Sequence, residues 1–178
     1  NGMVGSAICK LLERKKNIKI IKQTRSELDL CNQQAVKNFM ILDFLKDSTN
    51  LKTISRQGWI DKLSIKNPES VADHSYSMAI MAMIISDLEN YDSEKILKMT
   101  LLHDLAESKI GDITPEQMTL ENKMKIENEA FDEIINQLPE TIKSQYLEIW
   151  KEYQNNSSKE SLFVHQIDRL EMALQAKI

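Results

Sequence analysis

From Met40 onward the apolar residues recur at helical spacing. Ile41, Leu42, Phe44 and Leu45 form a first stripe, and Leu51 and Ile54 carry it towards Arg56-Gln-Gly-Trp59. The segment from Ile60 to Pro68 reads as a loop, closed by Pro68. Ser70 and Asp73 have the spacing of a capping box for a helix from Val71 to Leu88. That helix is apolar nearly all round (Met78, Ala79, Ile80, Met81, Met83, Ile84, Ile85), the pattern of a helix buried centrally in a core. Ser93 is placed to cap the next helix, whose Ile96, Leu97, Met99, Leu101 and Leu102 lead into His103-Asp104.

Gly111 breaks the pattern. Thr114 as N-cap, Pro115 as first helical residue and Gln117 three positions on then predict a helix from Pro115 to Leu120 or beyond. An amphipathic helix follows through Ile126, Ala130, Phe131, Ile134 and Ile135 to Leu138. Pro139 restarts the chain into a helix carrying Tyr146, Ile149, Trp150 and Tyr153. Asn155-Asn-Ser-Ser158 is a polar turn that caps the last helix, through Ala176. Strict alternation, the mark of strands, is missing after Met40. The predicted class is all-α, a helical bundle over residues 40–178.

Residues 1–39 have another character. They hold eight basic against three acidic residues, a balance of +5, while the remainder holds 15 against 24, or −9. Gly2-Met-Val-Gly5 opens a helical pattern, Ile18, Ile20 and Ile21 read as a short strand, and a helix is expected near Gln33–Phe39. The net charge of −4 argues against binding a nucleic-acid polymer, which calls for a basic stripe. No apolar run reaches the roughly 20 residues of a membrane span. Cys9 and Cys31 lack the spacing of a thiolate metal site or a disulfide framework, so a reducing, cytoplasmic setting is the expectation.

The candidate chemistry centres on His103-Asp104-Leu-Ala-Glu107 and Gly111-Asp112-Ile-Thr114-Pro115. Imidazole and carboxylate are ligands that divalent first-row metals accept, and Glu107 falls on the same helix face one turn on. A His-Asp pair alone is common, as a helix-end histidine beside a solvated carboxylate. Two distant residues change its weight: His74, at the start of the long apolar helix, and Asp168, inside the last one.

The order His74, His103-Asp104, Asp168 resembles the HD-domain metal-dependent phosphohydrolases. The closer likeness is to their 5'-deoxynucleotidase-like branch. It is carried by Gly58-Trp59, Lys66-Asn-Pro-Glu-Ser-Val-Ala-Asp-His74, His103-Asp-Leu-Ala-Glu107, Gly111-Asp-Ile-Thr-Pro115 and Leu170-Glu-Met, from about Met40 to the end. The resemblance implies that His74, His103, Asp104 and Asp168 hold one divalent ion: manganese, cobalt, zinc, iron or magnesium. Such an ion acidifies water and polarises a phosphoryl oxygen, which is what phosphomonoester hydrolysis needs. It further implies that Glu107 and Asp112 share the water-orienting and general-acid roles. Arg56, Trp59, Lys66 and Thr114 are implied to contact a nucleotide, and a homodimer is implied as the assembly. His165, three residues before Asp168, matches no motif and reads as structural.

Residues 1–39 resemble instead the beginning of GDP-fucose-synthase-like nucleotide-sugar epimerase/reductases. Gly2 and Gly5 match the second and third glycines of their dinucleotide turn, without the first glycine or the first strand. The stretch is read as an incomplete Rossmann-like α/β fragment or fusion scar with no working cofactor site, and the chain is expected to be cut at its C-terminus. The function expected is removal of the 5'-phosphate from (deoxy)ribonucleoside monophosphates by a metal-activated water. The alternatives are another HD activity (triphosphohydrolase or phosphodiesterase), a fragment of an NADP-dependent nucleotide-sugar oxidoreductase, and a non-catalytic helical module.

Overall fold

A computed structural model of the chain describes residues 41–177, all of them helix, turn or loop. The expected fragment 1–39 lies outside the described residues. The helices are α1 (Ile41–Asn50), α2 (Gln57–Leu63), α3 (Val71–Leu88), α4 (Ser93–Leu102), the short α5 (Glu107–Ile110), α6 (Leu120–Ile135), α7 (Glu140–Asn155) and α8 (Lys159–Gln175). A single 3-10 turn, Leu51–Thr53, follows α1, and Ser55 pairs with Ser70 in an isolated antiparallel bridge. The all-helical class expected from the periodicity is what the described residues form.

α4 is the central element, packed against α3, α7 and α8, while α3 also packs along α8. Ile96 and Met99 of α4 are buried among Met78 of α3 and Val164 of α8. A second part of the same core is the Phe131–Trp150 pair of α6 and α7, stacked at 4.0 Å and 8°. The Trp150 indole N–H donates to Asn128 at 2.7 Å, so its one polar atom is satisfied.

Local chemistry sets the helix ends. Ser70 and Asp73 form a reciprocal capping box at the start of α3, as their spacing predicts. Ser158 does the same for α8 with Ser161. Asp92 rather than Ser93 caps α4, by accepting the Lys95 N–H; the carboxylate stands one residue earlier, and Ser93 becomes the first helical residue.

Three further expectations are corrected. Ile60–Leu63, expected in a loop, belong to α2. Asp112 accepts the free Gln57 N–H at the start of that helix, Gln57 bonds Asp61 one turn on, and Ser64 closes it in the left-handed conformation. The helix expected from Pro115 is only a turn, because Thr119 caps α6 and the amphipathic pattern starts at Leu120. Gln117 nevertheless bonds back to the Thr114 N–H, half of the capping box. Finally, α3 is not buried all round. Tyr76, Ile80, Met83, Ile84 and Leu88 form an exposed apolar stripe beside the buried His74, Met78 and Ala82.

Candidate metal centre

The ends of α3 and α4 and the middle of α8 meet at one point. The capping box fixes the first turn of α3, and His74 follows it directly. His103 is the C-cap of α4, where the chain tightens into turns through Asp104 and Leu105. Gly111 then ends α5 at φ +78°, a backbone conformation that a side chain would strain although there is space for one. Asp112 is thereby turned back towards Gln57.

His74 Nε2 lies 3.2 Å from Asp168 Oδ1 and 3.8 Å from Asp104 Oδ2, and His103 Nε2 lies 3.0 Å from the same Asp104 oxygen. His74, His103 and Asp168 each offer a ligand atom within 4.8 Å of the others. His74 Nε2, His103 Nε2 and Asp168 Oδ1 are all buried without a hydrogen-bond partner. Burying polar atoms unpaired costs about 1–3 kcal/mol each. Three of them facing one point is the arrangement a cation would satisfy, and their types suit a divalent metal. His103 Nδ1 lies 2.7 Å from the Thr100 carbonyl. A carbonyl only accepts, so Nδ1 carries the proton and Nε2 presents its lone pair to the cluster. His74 Nδ1 lies 2.6 Å from Glu171.

The field of the cluster agrees with its geometry. Burial alone would raise the Asp104 pKa, but His103, Arg56 and His74 hold this carboxyl well below its usual range. Asp168 is likewise lowered against the effect of burial, by His74 and His103. For His103 burial works downward and Asp104 outweighs it, so the imidazole is raised. Arg56 is raised too: its burial is overcome by Asp104, Asp112, Glu107 and Asp168. Glu107 is pushed well above the carboxylate range, first by burial and then by Asp104 and Asp112.

Above the cluster opens a cavity of about 750 Å³. Of the residues singled out in the sequence, His103, Asp104, Asp168, Glu107, Asp112, Arg56, Trp59 and Thr114 line it, with His74 buried beneath. Arg56 stands at the N-terminus of α2 with Nη1 3.3 Å from Asp104. The Trp59 indole N–H donates to Glu69 at 2.9 Å, and Thr114 Oγ1 lies 3.3 Å from Asp61. Lys66 is not brought to the cavity; it is exposed in the loop after α2.

Several residues at the cavity were not singled out. Lys123 lines it and donates to the Ile113 carbonyl at 2.8 Å, and Lys62 lines it as a second unanticipated cation. Tyr153 was legible only as part of an apolar stripe, yet it lines the cavity with its ring near-perpendicular to that of His103, centroids 5.8 Å apart. His165, read from the sequence as structural, stacks on Tyr153 at 4.1 Å and lines the cavity as well. Glu171 sits three residues after Asp168, in the Leu170-Glu-Met stretch, a signal that was present but carried no role.

Residues 48–178 match the family model described as HD domain. A 5'-deoxynucleotidase HDDC2 from Homo sapiens is 41% identical over 137 residues, covering 76% of this chain and 66% of the relative. A 5'-deoxynucleotidase hdd1 from Schizosaccharomyces pombe is 41% identical over 146 residues, covering 79% and 73%. This chain thus spans about two-thirds of the length of the human relative, at 66%. Among solved structures, the PH0347 protein from Pyrococcus horikoshii OT3 is 35% identical with a TM-score of 0.66, covering 76% of each chain. A predicted metal-dependent phosphohydrolase from Magnetospirillum magnetotacticum MS-1 is 26% identical with a TM-score of 0.64, covering 76% of this chain and 70% of its own.

Proposed function

This chain belongs to the HD-domain family, and on that premise we propose that it hydrolyses the 5'-phosphate of (deoxy)ribonucleoside monophosphates with one divalent metal ion. The observation that carries the reading is the convergence of three buried, unpartnered ligand atoms of His74, His103 and Asp168, with Asp104 beside them, at the floor of a cavity of nucleotide size. The relatives named as 5'-deoxynucleotidases support the choice of substrate.

A divalent ion held by these four residues would supply Lewis-acid polarisation of a phosphoryl oxygen and of water. The chain's own residues do the rest. Arg56, held between Asp104 and the start of α2, presents its guanidinium to the phosphate, a planar fork suited to paired oxygens. The Trp59 ring is anchored by Glu69 and offers a face for sugar or base. After burial, Asp104 does most to hold Glu107 above the carboxylate range, so with a cation bound beside Asp104 this acid would favour its ionised form and would orient and deprotonate the attacking water. Asp112, held by the Gln57 N–H on the Gly111 turn, takes up the proton that Glu107 has removed from the water and delivers it to the leaving 5'-oxygen. Thr114 orders the turn and faces the cavity, while Lys66 has no role in this reading.

The proposal includes a homodimer and a cytoplasmic setting. The exposed stripe Tyr76, Ile80, Met83, Ile84 and Leu88 supports the first, since contiguous apolar surface marks an interaction face. Light scattering of wild type and of Ile80→Glu/Ile84→Glu tests it. Phosphate release from a panel of 5'-nucleotides, with manganese or cobalt added, tests the activity. Release confined to triphosphates or diesters would redirect the reading to another HD chemistry.

A further inference from the structure

We propose that Glu171 is a positioning residue of the metal centre, holding the His74 ring so that Nε2 faces the cluster. The inference rests on the reading that His74 is a metal ligand. His74 Nδ1 and Glu171 Oε2 are 2.6 Å apart, with side chains 0% and 2% exposed. At that distance the carboxylate oxygen is placed to accept from an Nδ1–H, so Nδ1 faces Glu171 and away from the cluster. The other nitrogen, Nε2, is left buried, unpartnered and directed at Asp168 and Asp104. His103 is held the same way by the Thr100 carbonyl, so both imidazoles present the same nitrogen to the same point.

A purely structural pair is the competing account, and energetics speaks against it. Replacing both partners of a buried hydrogen bond by apolar groups of the same shape can be nearly neutral or stabilising, so stability alone does not call for this pair. A carboxylate placed on the ring nitrogen that faces away from the cluster does have a chemical use. It fixes tautomer and ring orientation and raises ligand basicity. The chain also economises on elements: Asp168 and Glu171 lie one turn apart on α8, so one helix delivers a ligand and the group that orients another. Glu69, the other acid near His74, is engaged by the Trp59 indole, and His74 Nδ1 is engaged by Glu171. The triplet Glu69, His74 and Glu171 is therefore a hydrogen-bonded support rather than a second metal site.

The test uses the full chain, with cobalt(II) alone as the probe, in wild type, Glu171→Gln, Glu171→Met and His74→Ala. Circular dichroism checks the fold, titration calorimetry gives the affinity, and ring ¹⁵N shifts of the metal-free protein give the His74 tautomer. Glu171→Met is expected to bind cobalt about 10–100-fold more weakly, with His74 no longer confined to the Nδ1–H form. Glu171→Gln keeps an acceptor for that proton and is expected to lose less. Wild-type affinity in a folded Glu171→Met, equal losses in both Glu171 variants, or an Nε2–H tautomer in wild type would each overturn the proposal. If Glu171→Met does not fold, the tautomer in wild type and Glu171→Gln decides. A His74→Ala protein that binds cobalt normally would overturn the metal-site reading itself; normal loss there with an unaffected Glu171→Met would overturn only this inference.

Discussion

The imidazoles of His74 and His103 face each other across the cluster with ring centroids 5.5 Å apart, each with Nδ1 against an acceptor and Nε2 buried without one. They come from different helices, so a ligand bound between them ties the start of α3 to the end of α4.

Binding there stabilises the fold. At a metal concentration 100 times Kd the gain is about 2.7 kcal/mol. For a chain of this size that raises Tm by roughly 5–10 °C. Differential scanning fluorimetry with manganese, cobalt or zinc should show a rise reversed by chelation and lost in His103→Ala. A Tm indifferent to every metal would count against the cluster as a binding site.

Glu107 gives the metal-free protein a defined pH dependence. Burial, then Asp104 and Asp112, raise its pKa in the folded state. Between the unfolded value, about 4.3, and the folded one, the folded chain holds more protons than the unfolded chain. Stability from this group is therefore greatest below the unfolded pKa and falls as pH rises through the folded value. Denaturant unfolding should show metal-free Glu107→Gln matching wild type near the acid end and exceeding it at neutral pH. A difference independent of pH would contradict the assignment.

Arg56→Lys should separate catalysis from metal binding. A lost hydrogen bond to a charged group is worth about 1.5–3 kcal/mol, so kcat/KM should fall roughly ten- to a hundredfold. Lysine cannot reproduce the planar fork. In Arg56→Ala the metal should bind more tightly, because a cation 3.3 Å from Asp104 has been removed. Parallel losses of affinity and activity would mean that Arg56 serves the fold rather than the phosphate.

Asp112→Asn should be most damaging where the leaving group is poor. Loss of a general acid costs about 10²–10⁴-fold with a nucleotide, whose 5'-alkoxide needs a proton. With an aryl phosphate, whose phenolate leaves unaided, the loss should shrink. Glu107→Gln should show no such rescue. The opposite pattern would exchange the two roles.

Helix periodicity and caps were legible because they are local: Ser70–Asp73 and Ser158–Ser161 form the caps their spacing implies. His74, His103, Asp104 and Asp168 were legible as a set through their order along the chain, and the fold brings them together. What escaped depends on distant partners. The start of α2 is one case: its free Gln57 N–H is received by Asp112, 55 positions away. Lys123 and Tyr153 face the cavity because of how α6 and α7 roll on the core, which no spacing announces. The exposed side of α3 could not be told from its buried side, since both are apolar.

The most direct measurement is phosphate release from deoxyadenosine 5'-monophosphate by chelated protein titrated with manganese or cobalt, wild type beside His103→Ala/Asp104→Ala. The rate should rise from the baseline, saturate near one ion per chain, and stay at the baseline in the variant. Release by the chelated protein or by the double variant, or no release from metal-loaded wild type, would contradict the account.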